Sequence, residues 1–208
     1  MAQAHIIVDV QKDFCAGGSL ATERGAEVAS LISEYLENNY HRYDTIVATQ
    51  DWHKDPGSHF SDEPNYVNSW PVHCRAETPG AELHKNLDTD YIQAYFRKGE
   101  FEAAYSGFEG LLAPEDSVMT GERDAGVQVE DNSPKVSLDE WLRQREISDV
   151  DLVGIATDFC VKATALDAVD AGYEARVLTD LTAPVSEEGF EQALEELEDA
   201  GVTLKQVL

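Results

Sequence analysis

Basic residues are scarce in this chain: 15 Lys and Arg stand against 41 Asp and Glu, a net charge of −26 over 208 residues. That shortage excludes the functions that need a positive surface, so no nucleic-acid partner and no membrane partner is expected. No apolar run approaches the ~18 residues that span a bilayer. The first residues, MAQAHIIVDVQKDF, lack the charged region, apolar stretch and cleavage site of a secretion signal, and a cytoplasmic protein is expected. Cysteine is sparse as well. Three residues, an odd number without secretory context, read as free thiols and not as a disulfide framework. The acidic residues are spread along the chain, with a denser run over 187–199 that reads as a solvated helix face. Such a surface favours solubility and suits a salty working environment.

What is present is ordinary globular material: 42% hydrophobic and 9% aromatic residues. One domain over residues 1–208 is expected, since a single core serves up to roughly 250–300 residues. Strand and helix patterns alternate. HIIVDV (5–10) is a continuous apolar run of the kind covered on both faces, and residues 24–40 carry apolar positions at helical spacing. TIVAT (45–49) gives a second strand, followed by a long loop punctuated by Pro and Gly to residue 80. A short helix is expected over 89–93, a third strand over 94–97, and a polar surface excursion at about 114–132. Ser137 and Glu140 form a capping box for a helix over 138–145. Strands at 151–156, 173–178 and 202–205 alternate with helices starting near Phe159 and after Ser186. This order implies an α/β fold of three layers, a mostly parallel sheet with helices on both faces.

Ligands of such sheets bind outside the carboxyl ends of the strands. Asp9, Asp51, Lys98 and Cys160 all fall at or just past those ends. Cys160 is expected in the first turn of a helix, where the dipole and free N–H groups favour a thiolate; such positions lower a thiol pKa to roughly 3.5–7.5. Asp9, set among Ile6, Ile7, Val8 and Val10, is poorly solvated, so its pKa should rise toward a value useful for a general base. Lys98 would supply positive charge to both. Taken singly, each has a plainer reading: a small buried hydrophobe, a carboxylate capped by backbone N–H groups, a solvated surface lysine.

A second group suggests a divalent metal. Asp51 and His53 lie two residues apart in extended chain and point to one side; His73 and His59 could close a site of mixed oxygen and nitrogen ligands. Cys74, next to His73, would face the other way and is left out.

The segments IIVDVQKDFCAGGSL, TQDWHKDPGSHF, SWPVHC, TPGAELH, FRKGEFEAAYSGFEG and GIATDFCVKATALDA carry a resemblance to the nicotinamidases, or pyrazinamidases, of the isochorismatase-like cysteine hydrolases. The resemblance implies a catalytic triad at Asp9, Lys98 and Cys160, and metal ligands at Asp51, His53 and His73. His59 matches a further histidine that some members use as a ligand. It also implies pocket walls at Phe14 and Trp70, and a cis bond between Ile155 and Ala156 beside an oxyanion hole. One divalent ion, Zn, Fe or Mn, is implied. So is deamidation of nicotinamide to nicotinate and ammonia in NAD salvage, with pyrazinamide as a second substrate; a homo-oligomer stays open. Two alternatives remain beside this reading: a related cysteine hydrolase of another small amide or carbamoyl compound, and a noncatalytic metal-binding protein.

Overall fold

The computed structural model describes residues 1–114 and 135–208. Among these residues seven strands form one sheet in the order β4-β3-β2-β1-β5-β6-β7. They are β1 (Ala2–Val8), β2 (Thr45–Asp51), β3 (Ala94–Lys98), β4 (Leu111–Leu112), β5 (Ile147–Ile155), β6 (Glu174–Ala183) and β7 (Thr203–Lys205). All pairings are parallel except β3 with β4. Among the described residues four α-helices cover the sheet: α1 (Gly25–Asn39), α2 (Leu138–Gln144), α3 (Lys162–Asp170) and α4 (Glu187–Asp199).

The continuous apolar run of β1 is explained by its two covered faces. Ile7 packs with Val28, Ile32 and Leu36 of α1, whereas Ala4, Ile6 and Val8 pack with Leu138 and Leu142 of α2, Ala165 of α3 and Leu197 of α4. Successive side chains of a strand point to opposite faces, so burial on both sides favours apolar residues at consecutive positions, as at Ile6, Ile7 and Val8, with the buried His5 as the polar exception. The result is the expected three-layer α/β fold. The Ser137 side chain accepts from the Glu140 N–H and the Glu140 carboxylate accepts from the Ser137 N–H, the capping box the sequence announces. Gly172 and Gly201, at φ 92° and 87°, end α3 and α4 in the left-handed conformation that favours glycine.

Two expectations are corrected. Residues 89–93 form a turn, not a short helix. The Asp88 carboxylate takes the Asp90 N–H at 2.9 Å and Ile46 of β2 takes the Gln93 N–H at 2.8 Å, so both ends are drawn out of helical bonding. Cys160 does not open an α-helix either. It lies in a π-helical turn, Thr157–Val161, and α3 begins at Lys162. The short antiparallel β4 is an element the sequence did not announce. Apart from Pro114, the expected excursion at 114–132 lies outside the described residues.

The chain runs outward from β1 through β2 to β4, then returns to lay β5 on the other side of β1. The crevice between the carboxyl ends of β1 and β5 is therefore the switch point at which α/β sheets bind ligands. The two strands approach closely there. Gly154, at φ +115°, leaves no space for a side chain, since a Cβ would sit 2.1 Å from the Val8 carbonyl oxygen.

Candidate active site

The four residues expected at the strand ends do converge. Asp9 follows β1 with a left-handed backbone, φ 48°, and is fully buried. Asp51 and Lys98 end β2 and β3, and the parallel register places them side by side. Cys160 comes from the turn after β5. Lys98 is the hub: its ammonium lies 2.8 Å from Asp9 Oδ2, contacts Asp51 Oδ1, donates to the Ala104 carbonyl at 3.2 Å and sits 3.6 Å from Cys160 Sγ. With 1% exposure, this is not a solvated surface lysine. Asp9 Oδ1 also accepts from the Thr49 hydroxyl at 2.6 Å.

Burial and charge pull these groups in opposite directions. Burial raises the Asp9 pKa above the ordinary carboxylate range, and Lys98 only partly opposes it. For Asp51 burial also acts upward, but Lys98 and His53 outweigh it and hold the carboxylate ionised, well below the usual range. For Lys98 burial favours the neutral amine, and the two carboxylates reverse this and keep it charged. The Cys160 thiol is pushed well above its ordinary value, chiefly by burial and against the pull of Lys98. This corrects the expected low thiol pKa. The residue is only 7% exposed and shares its surroundings with two carboxylates, so desolvation outweighs any benefit from the turn. The resting nucleophile is a thiol with its base beside it: one side-chain atom each of Asp9, Asp51 and Cys160 lie within 4.8 Å of one another.

Next to this cluster, ring nitrogens of His53, His59 and His73 also lie within 4.8 Å of one another, all three residues buried. His53 Nε2 and His73 Nε2 are 3.6 and 3.8 Å from Asp51 Oδ2. Their other ring nitrogens face carbonyls, Nδ1 of His53 at 2.6 Å from Gly99 O and Nδ1 of His73 at 2.8 Å from Pro71 O. An Nδ1–H donated to a carbonyl leaves Nε2 with its lone pair turned inward, as a metal ligand needs. Burial lowers the His73 pKa and takes His59 down to about 4, so both stay neutral. His53 Nε2 and His59 Nδ1 are buried without a hydrogen-bond partner. Three imidazoles and an ionised carboxylate, with two ring nitrogens left without a partner, fit a first-row divalent ion such as zinc.

Asp51, Cys160, His59 and His73 of these groups line a pocket of about 430 Å³ of empty space, open mouth included. Of the expected pocket residues, Phe14, Trp70 and Ala156 line it. Ile155 does not: it is 1% exposed and packs in the α1-side core. The Ile155–Ala156 peptide is cis. Sequence reasoning missed Tyr105, whose hydroxyl accepts from Trp70 Nε1 at 3.1 Å, and Phe159, whose ring meets Trp70 edge-on at 4.9 Å. It also missed Gln11, whose amide brackets the Asp51 backbone at 2.9 and 2.8 Å. Thr49 could have been found, because strand alternation puts it on the same face as Asp51.

A thiol, an acid and an ammonium gathered at the switch point of a mostly parallel sheet are the layout of a nucleophilic hydrolase that works through a cysteine. Comparison with known proteins makes this particular. Residues 135–206 match the Isochorismatase domain. The nicotinamidase/pyrazinamidase of Mycobacterium tuberculosis is 50% identical over 97% of each chain. Among solved structures, the pyrazinamidase of Pyrococcus horikoshii in complex with zinc superposes with a TM-score of 0.75 at 33% identity over 100% of both chains. PnC1 from L. infantum, in complex with nicotinate, gives 0.76 at 34% over 99% of this chain and 92% of its own. The chain belongs to the isochorismatase family of hydrolases, in its nicotinamidase/pyrazinamidase group.

Proposed function

We propose that this protein hydrolyses nicotinamide to nicotinate and ammonia, and pyrazinamide by the same route, with Cys160 as nucleophile, and that the nicotinate re-enters NAD synthesis. The observation that carries the reading is the Lys98 ammonium in contact with Asp9, Asp51 and Cys160 at once, beside the three-histidine group. A buried carboxylate with a raised pKa is a competent proton acceptor for a thiol, and the nearby cation stabilises the thiolate as it forms.

Asp9 takes the Sγ proton as the sulfur attacks the carboxamide carbon. Backbone N–H groups of Ala156 and Cys160 receive the developing oxyanion, a contribution of about 3–4 kcal/mol per donor in related chemistry. Collapse breaks the carbon–nitrogen bond, and Asp9 returns the proton to the departing ammonia. Water, deprotonated by Asp9, then cleaves the thioester to the acid and restores the thiol. Phe14 and Trp70, with Tyr105 and Phe159, clamp the aromatic ring so that the carboxamide stays over Cys160. Asp51, His53 and His73, with His59 as a further ligand, would hold the divalent ion. When bound, that ion supplies a Lewis-acid site for the ring nitrogen, which fixes the ring's orientation.

Ammonia release from nicotinamide tests the proposal. Wild type is expected to be active, Cys160→Ala to lose at least about three orders of magnitude, and exhaustive chelation to abolish turnover until zinc, manganese or iron is restored. Activity retained in Cys160→Ala ends the nucleophile assignment. Full activity after verified metal removal ends the metal assignment.

A further inference from the structure

The two histidines that ring the Asp51 carboxylate come from different stretches of the long loop after β2, and something must hold those stretches in register. The link is the backbone of Cys74, the residue after His73. Its carbonyl accepts the His53 N–H at 3.1 Å, and the His53 carbonyl in turn accepts the Ala76 N–H at 2.8 Å. Cys74 adopts a left-handed backbone at φ 43°, a conformation that non-glycine residues hold only where their surroundings fix it. Its thiol is fully buried in the α1-side core, away from the pocket lining.

The side chain that holds its N–H is Asp13. The Asp13 Oδ2 atom accepts the Cys74 N–H at 2.8 Å, while Oδ1 accepts the Ser19 N–H at 3.3 Å. The carboxylate is wedged against the turn at Gly80, where a Cβ would lie 2.1 Å from Oδ2. The same residue anchors the pocket wall. Its carbonyl accepts the Leu20 N–H at 3.0 Å, and its neighbour Phe14 lays a ring 5.5 Å from that of His73. Both Leu20 and Phe14 line the pocket.

We propose that Asp13 is a positioning residue for the metal centre: through the Cys74 peptide it sets how the His53 and His73 imidazoles converge, and thereby how tightly the site retains a divalent ion. Asp13 itself touches neither ion nor substrate. The proposal rests on the reading of His53 and His73 as ligands. Partners that orient a ligand from outside the coordination sphere typically govern metal affinity by about 10–100-fold.

The test is zinc affinity of the full chain, read by competition with a chromophoric chelator, with circular dichroism and melting temperature recorded alongside. Asp13→Ala is expected to weaken zinc binding by about tenfold or more, whereas Asp13→Asn, which keeps an acceptor for the Cys74 N–H, stays within about threefold of wild type. Zinc affinity within about twofold of wild type in a folded Asp13→Ala overturns the proposal, as does an equal loss in the Asn variant. If Asp13→Ala fails to fold, Gly80→Ala displaces the carboxylate without removing it, and unchanged zinc affinity there overturns the proposal equally. His73→Ala separates the two levels of inference. Zinc retained in His73→Ala sinks the ligand reading, and zinc lost there but kept in Asp13→Ala sinks only the role of Asp13.

Discussion

His5 shows how much a single buried group governs this protein outside its site. It is fully buried against the rings of Tyr35 and Tyr43, at 5.8 and 4.7 Å, and neither ring nitrogen has a hydrogen-bond partner. Burial lowers its pKa to about 4, with Asp151 pulling weakly the other way. An unfolded histidine titrates near 6.5, so the unfolded chain binds a proton that the folded chain refuses. The sign follows: stability is full above pH ~6.5 and falls as pH drops toward 4. Between pH 7.5 and 5 the loss assigned to His5 is about 2 kcal/mol. Urea unfolding at those two pH values, both above the pI of 4.3, is expected to show a loss about 2 kcal/mol smaller in His5→Phe than in wild type, the remaining slope belonging to groups such as His59 and His73 that burial also lowers. An identical slope in the variant would assign it to other groups.

At the scale of elements, the turns that follow strands decide the chemistry. The turn after β3 must let the Gly99 carbonyl reach His53, and Gly99 does so at φ +74° with its α-carbon so close that a Cβ would lie 2.7 Å from His53 Cε1. Gly99→Ala is therefore expected to displace the imidazole and lower zinc affinity by about tenfold, with far-UV circular dichroism unchanged; affinity equal to wild type would show that the ring tolerates the intrusion. Such turns also mark how far the sequence can be read. The strand ends at Asp9, Asp51 and Lys98 were legible because apolar runs stop there, and the Ser137 capping box because its spacing is local. The turn over 89–93 was misread, since the bonds that unmake a helix there come from Asp88 and from Ile46 on another strand. The state of Cys160 was misread for a related reason. A helix start is visible in sequence, whereas desolvation by residues brought in from distant strands is not.

For the whole molecule, the excess of acidic groups is the dominant long-range force. A net charge of −26 repels itself in the compact state, and raising salt from 0.1 to 1 M shortens the screening length from about 10 to 3 Å. The melting temperature is expected to climb by at least about 5 °C between 0.05 and 1 M NaCl. A flat or falling curve would remove salt adaptation as the reason for this surface. No described helix is long and apolar enough to cross a membrane.

The central place of β1 has one more consequence. Its hydrogen-bonding edges are taken by β2 on one side and β5 on the other. A ribosome delivers β2 soon after β1 but β5 only after three intervening strands and α2. Until then the nascent chain carries an unpaired strand edge whose second half, Ile6–Val8, is apolar, the kind of surface on which chains aggregate. Base and nucleophile are joined by the same late pairing, so the chain cannot become reactive before that hazard has been closed.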